Sequence, residues 1–482
     1  MTSTDDLVDV RPGRQRAALV VVALITVPAF LVRFTGIDAS YPVAALLFGL
    51  AIVGAAFAIS WAAETAQLDI SAGLAIAILA LIAVLPEYAV DFVFTAQGGN
   101  SYQLDVSCPP LGNAETSPCD LALANMTGAN RLLIGLGWSM VVFLAWYRIR
   151  RTRTIDPHGR WDGIRLTRDH SIELGFLWIA SLYSLTLPLK ASITLIDTLV
   201  LVGLFVAYTW RISRAPAEEP HLVGPARYLG TFATASRRVS VIGLFLASGI
   251  VIWLFAEPFA HALTESGHAL GINEFLLVQW LAPLASESPE LIVAGLFAWR
   301  LNTNSGLGTL VSSKVNQWTL LVGTLPVVFA IASSSTHGLP ISAVQREELF
   351  LTAAQSFFAV AVMSNLTLSI REAFLLFALF WAQFVVGALV PTIARVLGVA
   401  EEPLHAAERI GVGILYLLLG LWFVLQDRRK VPRLVRDAFV ASYAELGEER
   451  LQDALEEAET EEPSSPHPGS EAPGPPSSTS AR

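Results

Sequence analysis

The stretch Leu281–Trp299, LAPLASESPELIVAGLFAW, restricts this chain more than any other. It is long and apolar enough to cross a bilayer, yet it carries Glu287 and Glu290 with Pro283 and Pro289 near its middle. A simple anchor does not hold carboxylates there, because each costs roughly 2.5–3.5 kcal/mol at mid-bilayer on insertion scales. A second stretch, IAVLPEYAVDFVF at Ile82–Phe94, repeats the pattern with Pro86, Glu87 and Asp91. Two proline-broken acidic spans in separate halves of one chain point to an ion or substrate site at the membrane midplane.

The composition agrees: 54% of the 482 residues are hydrophobic and 15% charged, with a mean hydropathy of +0.56. These values describe an all-α polytopic membrane protein whose first partner is the lipid bilayer. The net charge of -10 owes much to the tail around Glu445–Glu462 and carries no indication of nucleic acid. Cys108 and Cys119 share one polar loop without the companions a zinc site needs, so they read as a disulfide if the loop faces an oxidising compartment. No HExxH helix, GxSxG elbow or P-loop is found, which argues against a membrane enzyme, and no cofactor is expected.

Twelve apolar spans are expected, near 17–32, 43–63, 70–95, 121–146, 172–187, 193–210, 239–255, 273–299, 306–332, 349–362, 373–390 and 410–425. The first reads as an uncleaved helix rather than a signal peptide, since no small-residue cleavage site follows it. The organisation expected is a short N-terminus (1–15), an extra helix (16–40), five helices (41–212) with an outer loop at 98–120, a linker (213–237), five more helices (238–398), a further extra helix (399–428) and a tail (429–482). In that tail, 433–458 has the pattern of a charged amphipathic helix and the end is Pro/Ser-rich.

Arginines crowd the loop after Trp146, the central linker and Arg428–Lys430. By the positive-inside rule these face the cytoplasm, as do both termini, and the Cys108–Cys119 loop faces outward. The helix with Glu87 then runs outward and the helix with Glu290 inward, so the two five-helix halves are inverted repeats. A bacterial plasma membrane is the expected location, the bacterial origin being read from the preference for arginine over lysine.

A helical proline lacks a donor and displaces the carbonyl four residues earlier. Pro86 is thus expected to free the carbonyl of Ile82, and Pro289 that of Ala285, although a plain kink is the simpler alternative. Glu87 and Asp91 stand four apart and Glu287 and Glu290 three apart, so each pair shares a helix face. The next span in each half has a polar centre, ALANMTGANRLLIGLGW from Ala122 and GTLVSSKVNQWTLLVG from Gly308. These contribute Asn125, Thr127, Asn130, Ser312, Ser313, Asn316 and Gln317 as oxygen donors, with Arg131 and Lys314 as fixed cations; Gly128 and Ala129 also suit close helix packing. Glu173, Asp197, Glu257 and Glu372 read as interfacial, and His261 and His268 as residues of a short outer connection.

These paired stretches resemble the alpha-repeats of the cation/calcium exchanger superfamily. LPE at Leu85–Glu87 with TGAN at Thr127–Asn130, and SESPE at Ser286–Glu290 with SSKVNQ at Ser312–Gln317, carry the likeness. The resemblance implies that Glu87 and Glu290 are the central cation-binding glutamates and that Ser286 and Ser313 are ligand hydroxyls. Ala83 and Val84 stand where the family has Thr and Ser, Leu133 where it has a polar ligand, Glu287 replaces a serine, and Gln317 replaces Asn or Asp.

Four ionised acids with two fixed cations would leave two negative charges, to be met by one calcium, two sodium ions or two protons. Burial favours the neutral form of an acid, which lets protons compete with metal. The expectation is therefore a secondary antiporter of sodium or calcium against protons, working by alternating access. Sodium/calcium exchange without protons and a non-transporting receptor or scaffold on the same fold are the alternatives. Ion, stoichiometry and oligomeric state are left open at this level.

Overall fold

The computed structural model describes residues 12–69, 85–111, 115–152, 161–215, 222, 224–271 and 273–446. Long helices occupy the described parts of the expected spans, the 70–84 part of the third lying outside the described residues: α1 (Pro12–Thr35), α2 (Tyr41–Ala66), α3 (Leu85–Leu104), α4 (Pro118–Arg151), α5 (Ser171–Ser184), α6 (Leu195–Ile212), α7 (Thr234–Leu270), α8 (Glu274–Trp299), α9 (Thr303–Ser333), α10 (Ala343–Val362), α11 (Ile370–Leu397) and α12 (Glu401–Gln426). Among the described residues, ten helices are long and apolar enough to cross a membrane. The two that fall outside that count are α3 and α10, which carry charged side chains within their length: Glu87 and Asp91, and Arg346, Glu347 and Glu348. A short helix, α13 (Val431–Phe439), follows α12; the remainder of the expected tail helix lies outside the described residues.

Cys108 and Cys119 form a disulfide that ties the end of α3 to the start of α4. This marks one face of the molecule. Counting crossings from it places the arginine-rich loops on the opposite face, where Asp69, just beyond α2, accepts from both Arg237 and Arg238. The Arg237 guanidinium holds the Asp69 carboxyl below the usual carboxylate range, so this clamp persists at neutral pH and is lost only on acidification.

Four short strands record how the halves interlock. β1 (Gly163–Arg165), between α4 and α5, pairs antiparallel with β4 (Thr367–Ser369), between α10 and α11. β2 (Ser192–Ile193), between α5 and α6, pairs with β3 (Leu339–Pro340), between α9 and α10. The connection before the fourth helix of each half thus pairs with the connection after the fourth helix of the other, once on each face. Swapping the halves and turning the molecule over reproduces the pattern.

The helix packing follows the same exchange. α4 lies on α8, and α3 lies on the Val322–Ser333 end of α9. Both crossings are close because glycine stands at them. A β-carbon at Gly128 would sit 1.7 Å from the carbonyl oxygen of Gln279 in α8, and one at Gly99 would sit 2.6 Å from Cβ of Ala332. Gly128→Ala is therefore expected to force α4 off α8 and cost at least about 1–3 kcal/mol by overpacking. Gly203→Ala, with nothing within 4 Å, serves as the neutral control. Thermal unfolding in detergent reads the difference, and equal midpoints for the two variants would contradict the crossing.

Two local expectations change. α7 continues past Phe255 through Pro258 to Leu270, so His261 and His268 belong to a helix and not to a connection. The hydrophobic run of the preceding turns carries the helix through, with the His261 ring near Tyr41 of α2. Asp197 and Glu372 complete capping boxes with Thr194 and Ser369, which gives these helix-end acids a structural role.

Candidate ion site

α3 and α8 run in opposite directions through the middle of the molecule. The end of α3 reaches the end of α9 through Gln103, whose amide donates to the carbonyl of Ala332, and the start of α8 meets the α3–α4 loop where the Thr116 amide donates to Glu274. Glu87 and Asp91 of α3, and Glu287 of α8, are 3%, 0% and 3% exposed, far below what unpaired acids tolerate without compensation. Glu87 lies within electrostatic reach of Glu287, Asp91, Glu290 and the ammonium of Lys314, and Lys314 reaches Glu287 as well. Acids from both halves therefore converge on one lysine.

Each carboxylate has one buried oxygen without a hydrogen-bond partner: Glu87 Oε1, Asp91 Oδ2, Glu287 Oε2 and Glu290 Oε2. Two of the four acids are oriented by amides from the following helices. Asn125 Nδ2 donates to Asp91 Oδ1 at 2.7 Å, and Gln317 Nε2 donates to Glu287 Oε1 at 2.6 Å. Lys314 Nζ donates to Asn130 Oδ1 at 2.7 Å and to its carbonyl at 2.9 Å, bridging α9 to α4. A buried acceptor left unsatisfied costs about 1–3 kcal/mol and more when charged. Four of them, on Glu87 and the three acids within its electrostatic reach, make an arrangement that a metal ion or protons would relieve.

Pro289 acts differently from expectation. α8 is a continuous helix from Glu274 to Trp299, through both Pro283 and Pro289. The carbonyl of Ala285, which Pro289 releases, accepts from Ser288 Oγ at 3.0 Å, and Ser286 Oγ donates to the carbonyls of Ala282 and Pro283 at 3.3 Å. The Ser288 hydroxyl replaces the donor that Pro289 lacks, so the helix need not break there. Pro86 stands in the first turn of the described part of α3, and Ile82 lies outside the described residues.

The irregular backbone lies instead in α4 and α9, which widen into π turns at Leu133–Trp138, two residues after Arg131, and at Gln317–Leu321. π turns favour functional sites because they displace carbonyls from the regular ladder. No proline marks them, which is why sequence reasoning missed them. Ser313 is also buried, at 9% exposure. Among the described residues no three His, Cys, Asp or Glu side chains come together tightly enough to hold a metal by themselves. A metal held here would need carboxylate together with neutral oxygen.

The sodium/calcium exchanger protein family model matches residues 40–213 and 240–390. The chain belongs to this family. The exchanger is similar to the solved structure of the H+/Ca2+ exchanger CAX, with 38% identity, a TM-score of 0.77, and coverage of 89% of this chain and 98% of that one. It also shares its fold with the Ca2+/H+ antiporter protein YfkE, at 12% identity and a TM-score of 0.53, over 84% of this chain and all 100% of that one. No curated protein sequence matches it. It is thus a multi-pass membrane transporter and not an enzyme.

Within this exchanger Arg131 does not serve the carboxylate centre as its sequence neighbourhood suggested. Its guanidinium is 1% exposed, ion-paired with Glu348 of α10 and stacked 4.8 Å over the Trp280 ring. Glu348 also accepts from Gln279 at 3.0 Å and pairs with Arg409 of α12 at 2.9 Å, and Arg409 reaches Glu347 at 2.9 Å. This second network joins α4, α8, α10 and the last membrane helix. Glu348 matched no motif; its one signal was the charged run Arg346–Glu348 opening an apolar span.

Proposed function

We propose that this exchanger moves calcium against protons by alternating access through the carboxylate centre, with Glu87 and Glu290 binding the metal and Glu287 and Asp91 sharing the protons. The four unpartnered, buried carboxylate oxygens, on Glu87 and the three acids within its reach, with Lys314 beside Glu87 and Glu287, carry the reading. Its charge is the reason. With Arg131 engaged by Glu348, four ionised acids and one lysine leave three negative charges, not two. One Ca2+ and one proton, or three protons, neutralise them. An ionised site with neither is too costly to carry through the low-dielectric middle of the membrane. Exchange is then obligatory, because only a loaded site can reorient.

Calcium is preferred to sodium on two grounds. A divalent ion removes two charges at one position and accepts carboxylate and neutral oxygen in flexible geometry. The H+/Ca2+ exchanger CAX is similar over nearly the whole chain. Ser286, Ser313 and Gln317 complete the oxygen set, while Asn130 holds Lys314 as a built-in cation. The arginine-rich face and both termini lie in the cytoplasm of a bacterial cell, as the positive-inside rule requires, and the two halves, 41–212 and 238–398, form the inverted repeats.

Proteoliposomes test this directly. An outward proton gradient at clamped voltage drives calcium uptake in sodium-free buffer, and a sodium gradient at equal pH drives none. Uptake that follows sodium alone would replace protons with sodium as the counter-ion, and no flux under either gradient would leave a receptor or scaffold.

A further inference from the structure

Beyond the ion site, the arginine-rich face holds a cavity of 560 Å³ between the β1·β4 ribbon and α13. Five basic side chains line it, Arg165, Arg168, Lys430, Arg433 and Arg436, against one acid, Asp437. That acid is already committed: Arg168 Nη2 donates to both of its oxygens at 3.0 Å, and Arg168 Nε donates at 3.1 Å. Lys430 pairs with Asp427 at 3.1 Å. Among the described residues Arg165, Arg433 and Arg436 make no ion pair. The positive-inside rule accounts for the sign of this charge. It does not account for arginines from two separate segments converging on one concavity, where like charges repel.

The walls are fixed. Leu434, Asp437 and Ala438 are buried, and a β-carbon at Gly175 of α5 would come within 2.3 Å of Ala438 Cβ. The Phe439 and Phe176 rings stand 4.9 Å apart, Arg211 donates to the carbonyls of Ala438 and Ala441, and Tyr443 Oη donates to the Arg211 carbonyl at 2.8 Å. A preorganised basic cavity binds an anion without first ordering its own side of the site.

Its place just past the end of α12 narrows the class of anion. α12 ends with Leu421, Trp422 and Leu425 exposed at 50%, 56% and 61%, as suits a surface facing acyl chains. α13 starts five residues after Gln426, and Val435 within it and Val440 just after it are exposed beside Arg433 and Arg436. An amphipathic helix with basic and apolar side chains together lies in the headgroup plane. We propose that this cavity binds the phosphate headgroup of an anionic phospholipid, fixing α13 to the bilayer surface and to the loop that carries β1. The proposal is independent of which ion is transported.

The test measures binding of fluorescent phosphatidylglycerol and phosphatidylcholine to the full chain in neutral detergent. The protein prefers phosphatidylglycerol, and the triple variant Arg165→Gln/Arg433→Gln/Arg436→Gln weakens it by about a hundredfold, as expected for three interfacial arginines. Arg428→Gln/Arg429→Gln, which removes exposed charge from the neighbouring turn but not from the cavity, leaves the preference intact. An equal effect of both variants would reduce the site to diffuse surface charge and overturn the proposal. So would displacement by low millimolar inorganic phosphate, which would make the ligand a soluble anion. A preference that emerges only after Glu456, Glu457, Glu459, Glu461 and Glu462 are changed to Gln would give the cavity to the chain's own acidic tail.

Discussion

Glu290→Gln and Glu87→Gln each abolish proton-driven calcium uptake in proteoliposomes, while the protein still folds and reconstitutes. Glutamine keeps the shape and one oxygen but can neither ionise nor take up a proton. The site then lacks one of the charges that metal and proton alternately neutralise, and the exchange cycle has no closed path. Stability does not fall with activity. The acids repel one another, and one lysine answers only Glu87 and Glu287, so removing one acid relieves crowding, and the thermal midpoint stays level or rises. Loss of transport without loss of stability separates this outcome from misfolding. Glu257→Gln, a change at an exposed position of α7, retains full uptake. Wild-type flux in Glu290→Gln would sink the proposed mechanism.

The second large effect falls on stability. Glu348→Gln leaves Arg131 buried with its charge unanswered and removes one of the two carboxylates held by Arg409. Removing one partner of a buried pair costs about 3–5 kcal/mol, because the remaining charge stays out of water. The thermal midpoint should drop accordingly, and α12 should become easier to cleave from the rest by protease. The double change Arg131→Met/Glu348→Gln recovers most of the loss, since no orphaned arginine then remains in α4. If Glu348→Gln proves as stable as the parent, the network is not what holds α12 against the core.

How much was legible beforehand differs from residue to residue. Glu87, Asp91, Glu287 and Glu290 stood out because a charge in an apolar span is expensive wherever the helix is placed. Cys108 and Cys119 stood out because a lone pair of cysteines in one loop has few other uses. Pro289 misled, since a proline announces a missing donor but not the Ser288 hydroxyl that replaces it. Arg131 and Lys314 looked interchangeable, one in each polar span. Lys314 turns to the acids and Arg131 to Glu348, more than two hundred residues further along the chain.

Hydropathy, helical period and the placement of the arginines were enough to determine a membrane protein of long helices, two acidic spans of opposite direction, and the acids themselves. Which cation answers which acid, where the backbone widens, and how closely Gly128 lets α4 approach α8 depended on the packed molecule. Spacing along a helix tells which side chains share a face. Only the neighbouring helix, brought there by distant sequence, decides what that face meets.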